Sequence, residues 1–295
     1  MIIEALTLID GRIDRRYIEI EGSRISSISR SRVGSSIRRI EGIVIPGLIE
    51  IYSLARDESE IEAMLRAGIT DAIVYGYRGS SIIDLGFWSD SISVPPREAY
   101  GYIIWNERQI ERLYEAYGSV RVAILGIHYL SNELSRKASA LGHEPIVISP
   151  KFFTRVRSAI SIEDLFREDE LRMQAFMRIN SKEPLITFGR FYEKAAPIIL
   201  SLILKGYASW NLLKKMQDTR NKLGIRRGLS PGMRANLVVM KKKRGFYRGI
   251  ETYFEVDKVL IGGELVYDDG SILGRPKIEI IRGRGLNDTK AEILR

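Results

Sequence analysis

The chain has 295 residues, 45% hydrophobic and 28% charged, and Lys plus Arg exceed Asp plus Glu to give a formal net charge of +9. Both signs of charge are interleaved from end to end, which argues against disorder or a polyelectrolyte tail. No run of about eighteen apolar residues is free of charges and glycines, so the composition is that of a soluble globular protein of one large or two smaller domains. Cysteine is absent, which excludes disulfides, a thiolate zinc site and a cysteine nucleophile, and only two histidines occur, His128 and His143. Any metal or acid/base chemistry must therefore lean on carboxylates. The Met1-Ile2-Ile3-Glu4 start lacks the basic and long apolar regions of a secretion signal, so a cytoplasmic location is expected. The excess of Arg over Lys, the abundance of Ile and the scarcity of Gln fit a thermophile.

Residues 1 to 45 alternate in short β-like runs: Ile2 to Leu8, an Asp10-Gly11 turn, Tyr17 to Gly22, and Ile25 to Ile28. From about residue 46 the rhythm changes. Glu60 to Gly68 reads as an amphipathic helix ended by glycine, and Ile69 to Val74 as a buried strand. Further strands are expected at Gly101 to Ile104, Val120 to Ile127, Pro145 to Ile148 and Pro184 to Thr187. Helices are expected at Gln109 to Tyr117, Asn132 to Ala140, Ile162 to Ile179 and Ala195 to Lys205. Strands alternating with helices imply a parallel sheet, as a βα barrel or an open doubly wound sheet. No glycine-rich nucleotide fingerprint supports a nucleotide-binding open sheet. The β signature returns in Ala235 to Met240, in Tyr253 to Ile261 before Gly262-Gly263, and in Glu264 to Tyr267 before Asp268-Asp269-Gly270. The two β-rich ends are expected to fold together, with the middle inserted between them.

Several strings within this pattern resemble the amidohydrolase superfamily. Ile43-Val44-Ile45-Pro46-Gly47-Leu48-Ile49-Glu50-Ile51-Tyr52-Ser53-Leu54 is similar to that family's entry to its first barrel strand, where Pro-Gly and an acidic residue lead into His-x-His. Gly228 to Val239, Ile261 to Tyr267 and Arg282-Gly283-Arg284-Gly285 resemble the C-terminal half of dihydroorotase in particular. Glu193-Lys194 with Pro197 to Leu204 is similar to the helix after the last barrel strand. The resemblance spans nearly the whole chain. It implies an α/β fold: a shortened or distorted TIM-like βα barrel over residues 46–227, and a small composite β-sandwich domain from residues 1–45 and 228–295. Residues 46–227 fall below the roughly 200 at which complete barrels begin. The shortening is expected between Tyr75 and Asp90, where the family has another βα unit, and again before Trp105.

The family's chemistry is hydrolysis or closure of a cyclic amide by a metal-bound hydroxide, which needs several donor side chains and a carboxylate proton shuttle. By the resemblance, Tyr52 and Leu54 stand at the His-x-His positions. Trp105 replaces a ligand ahead of Asn106-Glu107, Tyr129 stands where a His precedes Leu-Ser, and Phe188 takes the place of the catalytic Asp. His128 is one residue early, which turns its side chain to the other face of a strand. Asp90, after Phe87-Trp88-Ser89, is the single retained ligand position. Tyr75, Tyr77, Trp88, Trp105 and Phe188 are expected to fill part of the barrel mouth. The residual candidates for chemistry are therefore Asp90, Glu107 and His128, each with a plainer reading. For Asp90 that is a turn or cap carboxylate, for His128 a structural imidazole, and for Glu107 an ion pair with Arg108, Arg112 or a neighbour. His143 is expected at the surface of a helix-to-strand turn.

The reading that follows is a dihydroorotase-like protein that has lost the metal centre and catalysis, acting as a structural or regulatory subunit in a pyrimidine-biosynthesis context. Its partner is aspartate carbamoyltransferase or a second copy of itself, and no cofactor is expected. The first alternative is an active dihydroorotase or related cyclic-amide hydrolase, with zinc in a site rebuilt from Asp90, Glu107 and His128. The second is a basic RNA-associated protein using Lys241-Lys242-Lys243-Arg244 and the arginines between 24 and 39. Nucleic acid is the less favoured partner, because the 241–244 run is expected in a solvated hairpin loop. No membrane partner is expected.

Overall fold

The computed structural model describes residues 1–9, 12–31, 37–118, 123–127, 132–141, 143–148, 157–166, 170–179, 185–206, 208, 212–213, 228–248 and 250–282. The start of the chain supplies strands β1 (Ile2–Ile9), β2 (Arg12–Glu21), β3 (Arg24–Ser29) and β4 (Ile37–Pro46). The expected turn residues Asp10 and Gly11 lie outside the described residues, but β1 and β2 pair antiparallel across them, Ile9 against Arg12.

The middle of the chain runs β5 (Leu48–Leu54), α1 (Glu58–Arg66), β6 (Ile69–Tyr75), β7 (Asp84–Ser89), β8 (Gly101–Ile103), α2 (Glu107–Tyr117), β9 (Ala123–Ile127) and α3 (Asn132–Ala140). It continues with β10 (Glu144–Ile148), β11 (Arg157–Ser161), a 3-10 segment (Ile162–Phe166), α4 (Glu170–Ile179), β12 (Leu185–Thr187), a second 3-10 segment (Gly189–Lys194) and α5 (Ala195–Leu204). The helices start where local chemistry permits. Asp57 caps α1 by accepting from the Glu60 amide at 3.2 Å, and Asn106 and Gln109 form a reciprocal capping box on α2. Helix α5 is apolar on all sides and nearly every residue is buried, as a helix enclosed between barrel and β sheet requires. The hydroxyl of Ser201 within it donates to the Pro197 carbonyl at 2.7 Å.

The end of the chain adds β13 (Leu237–Tyr247), β14 (Ile250–Ile261), β15 (Glu264–Asp268) and β16 (Ser271–Ile272). Strands from both ends share one eight-stranded sheet, in the order β16-β15-β14-β13-β4-β1-β2-β3. The sheet curls over a common core in which Ile3, Ile18, Ile25 and Val44 meet Leu237 and Leu260. Gly262 and Gly263 both take positive φ, 56° and 80°, the backbone a two-residue hairpin needs between β14 and β15.

The second sheet contains all eight middle strands, parallel and in chain order from β5 to β12. Its concave side is filled by Ile49, Ile51, Ile73, Trp88, Ile103, Leu125 and Ile146, a packed interior rather than a pore. The barrel is thus shortened in its connections and not in its strand number. Strand β7 occupies the stretch where a unit was expected to be missing, but no helix follows β6 or β7. Apolar loop residues cover the strands instead. Ile82 and Ile83 are buried in the outer core beside Ala72 and Val74, and Ile92 packs on the cluster of Tyr102, Ile110 and Leu113. The Tyr102 hydroxyl fixes this second loop by donating to the Val94 carbonyl at 2.5 Å.

Four local expectations are corrected. The helix expected over Ile162 to Ile179 is a 3-10 segment and a separate α4, and β11 before it was not anticipated. The basic run 241–244 is not a loop but the continuation of β13. There Lys241 pairs with Glu255 at 3.1 Å, Lys243 with Glu255 at 2.7 Å, and Arg244 with Glu251, because β14 places carboxylates across from them. His143 is buried, 4% exposed, rather than at the surface, with its backbone amide tied to the Ala138 carbonyl at 2.9 Å. Trp105 does not fill the mouth. It is 60% exposed, because its backbone amide is bound by the Gln109 side chain at the N-terminus of α2, which holds residue 105 outside the barrel. Among the described residues no helix is long and apolar enough to cross a membrane.

Candidate functional site at the barrel mouth

In a parallel barrel, the carboxyl ends of the strands form the face where chemistry is built. On this face β5 presents Tyr52 and Leu54, β6 ends in Tyr75, and β7 is followed at once by Asp90. The Tyr75 hydroxyl donates to Asp90 Oδ2 at 2.7 Å. That bond to a carboxylate raises the Tyr75 phenol above its usual value. The Tyr52 phenol is also raised, by burial first and by the nearby Glu50 carboxyl second. Beneath them Trp88 lies in the barrel interior and donates its indole N–H to the Ile51 carbonyl at 2.8 Å, which fixes the level at which Tyr52 and Tyr75 sit.

A strongly perturbed carboxyl group belongs to a residue that sequence reasoning passed over as a site. Glu50 is fully buried on β5, and burial pushes its pKa up to about 7. It accepts from the Tyr52 amide at 2.8 Å, the Phe188 amide at 2.7 Å and the Thr187 hydroxyl at 2.5 Å, the last two across the seam from β12. Among the described residues no backbone ladder joins β12 to β5, so this carboxyl group and the Thr187 hydroxyl join the first and last strands. The signal in the sequence was one acidic residue inside the apolar run Leu48-Ile49-Glu50-Ile51. Glu50 faces the seam and not the mouth, which gives it the chemistry of a proton-binding structural bridge.

The other candidates do not converge. Glu107 is the first residue of α2 and pairs with Lys137 of α3 at 2.5 Å, and Lys137 also binds Glu111 at 2.7 Å. Its partner is therefore Lys137 and not Arg108 or Arg112. Phe188 is fully buried in the core shared by the helices and the outer face of the barrel. It is therefore packing material of the seam, where a mouth-filling residue was expected. His128 and Tyr129 lie outside the described residues. Leu54 is 45% exposed and offers no donor atom. Among the described residues no group of three or more His, Asp or Glu is arranged to hold a metal ion. A phenol and an isobutyl group at positions 52 and 54, with one carboxylate already bonded to Tyr75, do not make the donor set that activates water on zinc.

A parallel eight-stranded barrel that interrupts a β domain built from both chain ends is a fold this chain shares with solved hydantoinases and a deacetylase. The D-hydantoinase of Bacillus sp. AR9 superposes with a TM-score of 0.70 at 13% identity, over 96% of this chain and 98% of that one. The L-hydantoinase (dihydropyrimidinase) of Arthrobacter aurescens gives 0.71 at 12%, over 93% and 97%. The N-acetyl-D-glucosamine-6-phosphate deacetylase of Mycobacterium smegmatis gives 0.61 at 12%, over 90% and 98%. At these identities the likeness is one of fold. No family model matches the sequence, and a search of curated proteins finds no significant match.

Proposed function

We propose that this chain is a dihydroorotase-like amidohydrolase-fold protein that has given up the metal centre and hydrolysis, and serves as a structural or regulatory subunit in pyrimidine biosynthesis. The observation that carries the proposal is the commitment of Asp90, the carboxylate that follows β7, to the Tyr75 hydroxyl at 2.7 Å, beside Tyr52 and Leu54 at the His-x-His positions. A mouth lined with phenols keeps its shape without a metal, whereas a hydrolase needs an open coordination site. Aspartate carbamoyltransferase is the proposed partner, on the strength of the dihydroorotase-like strings, with self-association the simpler outcome.

The test is elemental mass spectrometry of the purified protein together with ring-opening assays on dihydroorotate, hydantoin and dihydrouracil, with and without added zinc. Absence of stoichiometric metal and of turnover is the expected result. Stoichiometric zinc, with turnover lost in Asp90→Ala, would overturn it in favour of a rebuilt cyclic-amide hydrolase. Co-elution with aspartate carbamoyltransferase tests the subunit role separately, and failure to form that complex would remove the pyrimidine assignment.

A further inference from the structure

The floor of the barrel, opposite the mouth, is closed by the last described residues of the chain. Strand β8 has only three residues and pairs with β7 only at Trp88 and Ser89. The edge of β7 at its first residues is taken by the C-terminal segment. The Leu85 amide donates to the Glu279 carbonyl at 3.2 Å and the Ile281 amide to the Leu85 carbonyl at 2.9 Å, a parallel bridge centred on Leu85 and Ile280. Ile281 is buried in the same interior cluster as Ile73, Trp88 and Leu125. Gly86 makes room for it, since a Cβ there would stand 2.6 Å from the Ile281 carbonyl oxygen.

A buried polar cluster holds the segment to the β domain. Arg234, preceding β13, donates from Nε to Asp84 Oδ2 at 2.7 Å, and also binds Glu279 and the Lys277 carbonyl. The Glu279 amide donates to Asp84 Oδ1 at 2.6 Å. Asn236 bridges Asp84 and Asp71 through its side-chain amide at 2.8 and 3.2 Å, while its carbonyl oxygen accepts from the Gly262 amide. One guanidinium thus ties the barrel, the β domain and the segment together.

We infer that residues 277–282 are a strap: an added strand that supplies the pairing β8 is too short to give, clamps the β domain to the barrel floor, and through Ile281 sets the order of the interior layer beneath the mouth. Such a strap is seated cooperatively, with protection at Leu85, Ile281 and the Trp88 indole N–H lost together when it leaves.

The test is hydrogen exchange at those three sites and tryptic cleavage after the exposed Lys277 and Arg282, in the full-length chain and in Gly86→Val. The valine side chain displaces the Ile281 carbonyl, so exchange at all three sites and both cleavages should accelerate about tenfold or more. Changes within about twofold, or wild-type amides at Leu85 and Ile281 that exchange as fast as that of Gly274, would overturn the strap. Should Gly86→Val not fold, Ile281→Ala is read in the same assays. It leaves the backbone bridge chemically intact and removes only the buried side chain, so acceleration confined to the segment, with Trp88 unmoved, would refute the link to the mouth.

Discussion

Glu50 on β5 and Thr187 on β12 meet at 2.5 Å across the seam where the parallel sheet returns to its first strand. No cation is among the influences on the Glu50 carboxyl group. Its negative charge is offset only by hydrogen-bond donors, and desolvation outweighs them, raising the pKa from 4.5 to about 7. A carboxyl group with a raised folded-state pKa binds more protons folded than unfolded between those two values. Its contribution is therefore fully present below about pH 4.5 and is lost as pH rises through 7.

Glu50→Gln keeps an acceptor at the seam and removes the titration. The variant is expected to match the wild type near pH 5 and to exceed it near pH 8, by up to roughly 3 kcal/mol if the whole shift is expressed. Urea unfolding at the two pH values measures this, and a variant whose stability keeps the wild-type slope with pH would assign the slope to other groups. Glu50→Ala strands the buried amides of Tyr52 and Phe188 and should destabilise at both pH values, by about 1–3 kcal/mol for each unpaired group.

Tyr75 and Asp90 offer a spectroscopic prediction. The phenol is raised chiefly by its bond to Asp90, so in Asp90→Ala the Tyr75 titration should move down toward the ordinary tyrosine range. Ultraviolet titration of the variant against Tyr75→Phe isolates that phenol from the other tyrosines. An unchanged midpoint would mean that the bond is not populated in solution, and would free Asp90 for other chemistry.

Much of the fold was legible because burial and period coincide. Runs such as Ile69 to Val74 and Val238 to Met240 are apolar over strand-length stretches and are strands, while Glu60 to Arg66 carries its apolar residues at helical spacing and is a helix. Strand β11 escaped because Arg157-Ser158-Ala159-Ile160-Ser161 is mostly polar and becomes a strand only by pairing with β10 and β12. The position of Trp105 was misjudged for a related reason. Its exposure is set by the capping box of α2, and an aromatic residue carries no sequence mark of which side of a strand end it leaves. The polar groups that organise the molecule, Glu50, Asp71 and Asp84, each sit inside or beside an apolar run, and their partners lie 137 to 165 residues away in the cases of Thr187 and Asn236. Such pairings are set by topology and not by local pattern.

Arg234 supplies the sharpest stability prediction. It is almost completely buried and faces Asp84, which is fully buried, so removing the guanidinium leaves an uncompensated charge in the interior. Arg234→Met should cost about 3–5 kcal/mol by denaturant unfolding. Replacing both members, Arg234→Met with Asp84→Leu, removes the stranded charge and should recover part of that loss even though the salt bridge is gone. The Glu279 amide would still lack its acceptor and Asn236 would keep only Asp71, so recovery is expected to be incomplete, short by about 1–3 kcal/mol for the unpaired amide. A double variant no more stable than Arg234→Met alone would mean that the cost lies in the lost bridge and not in the buried charge.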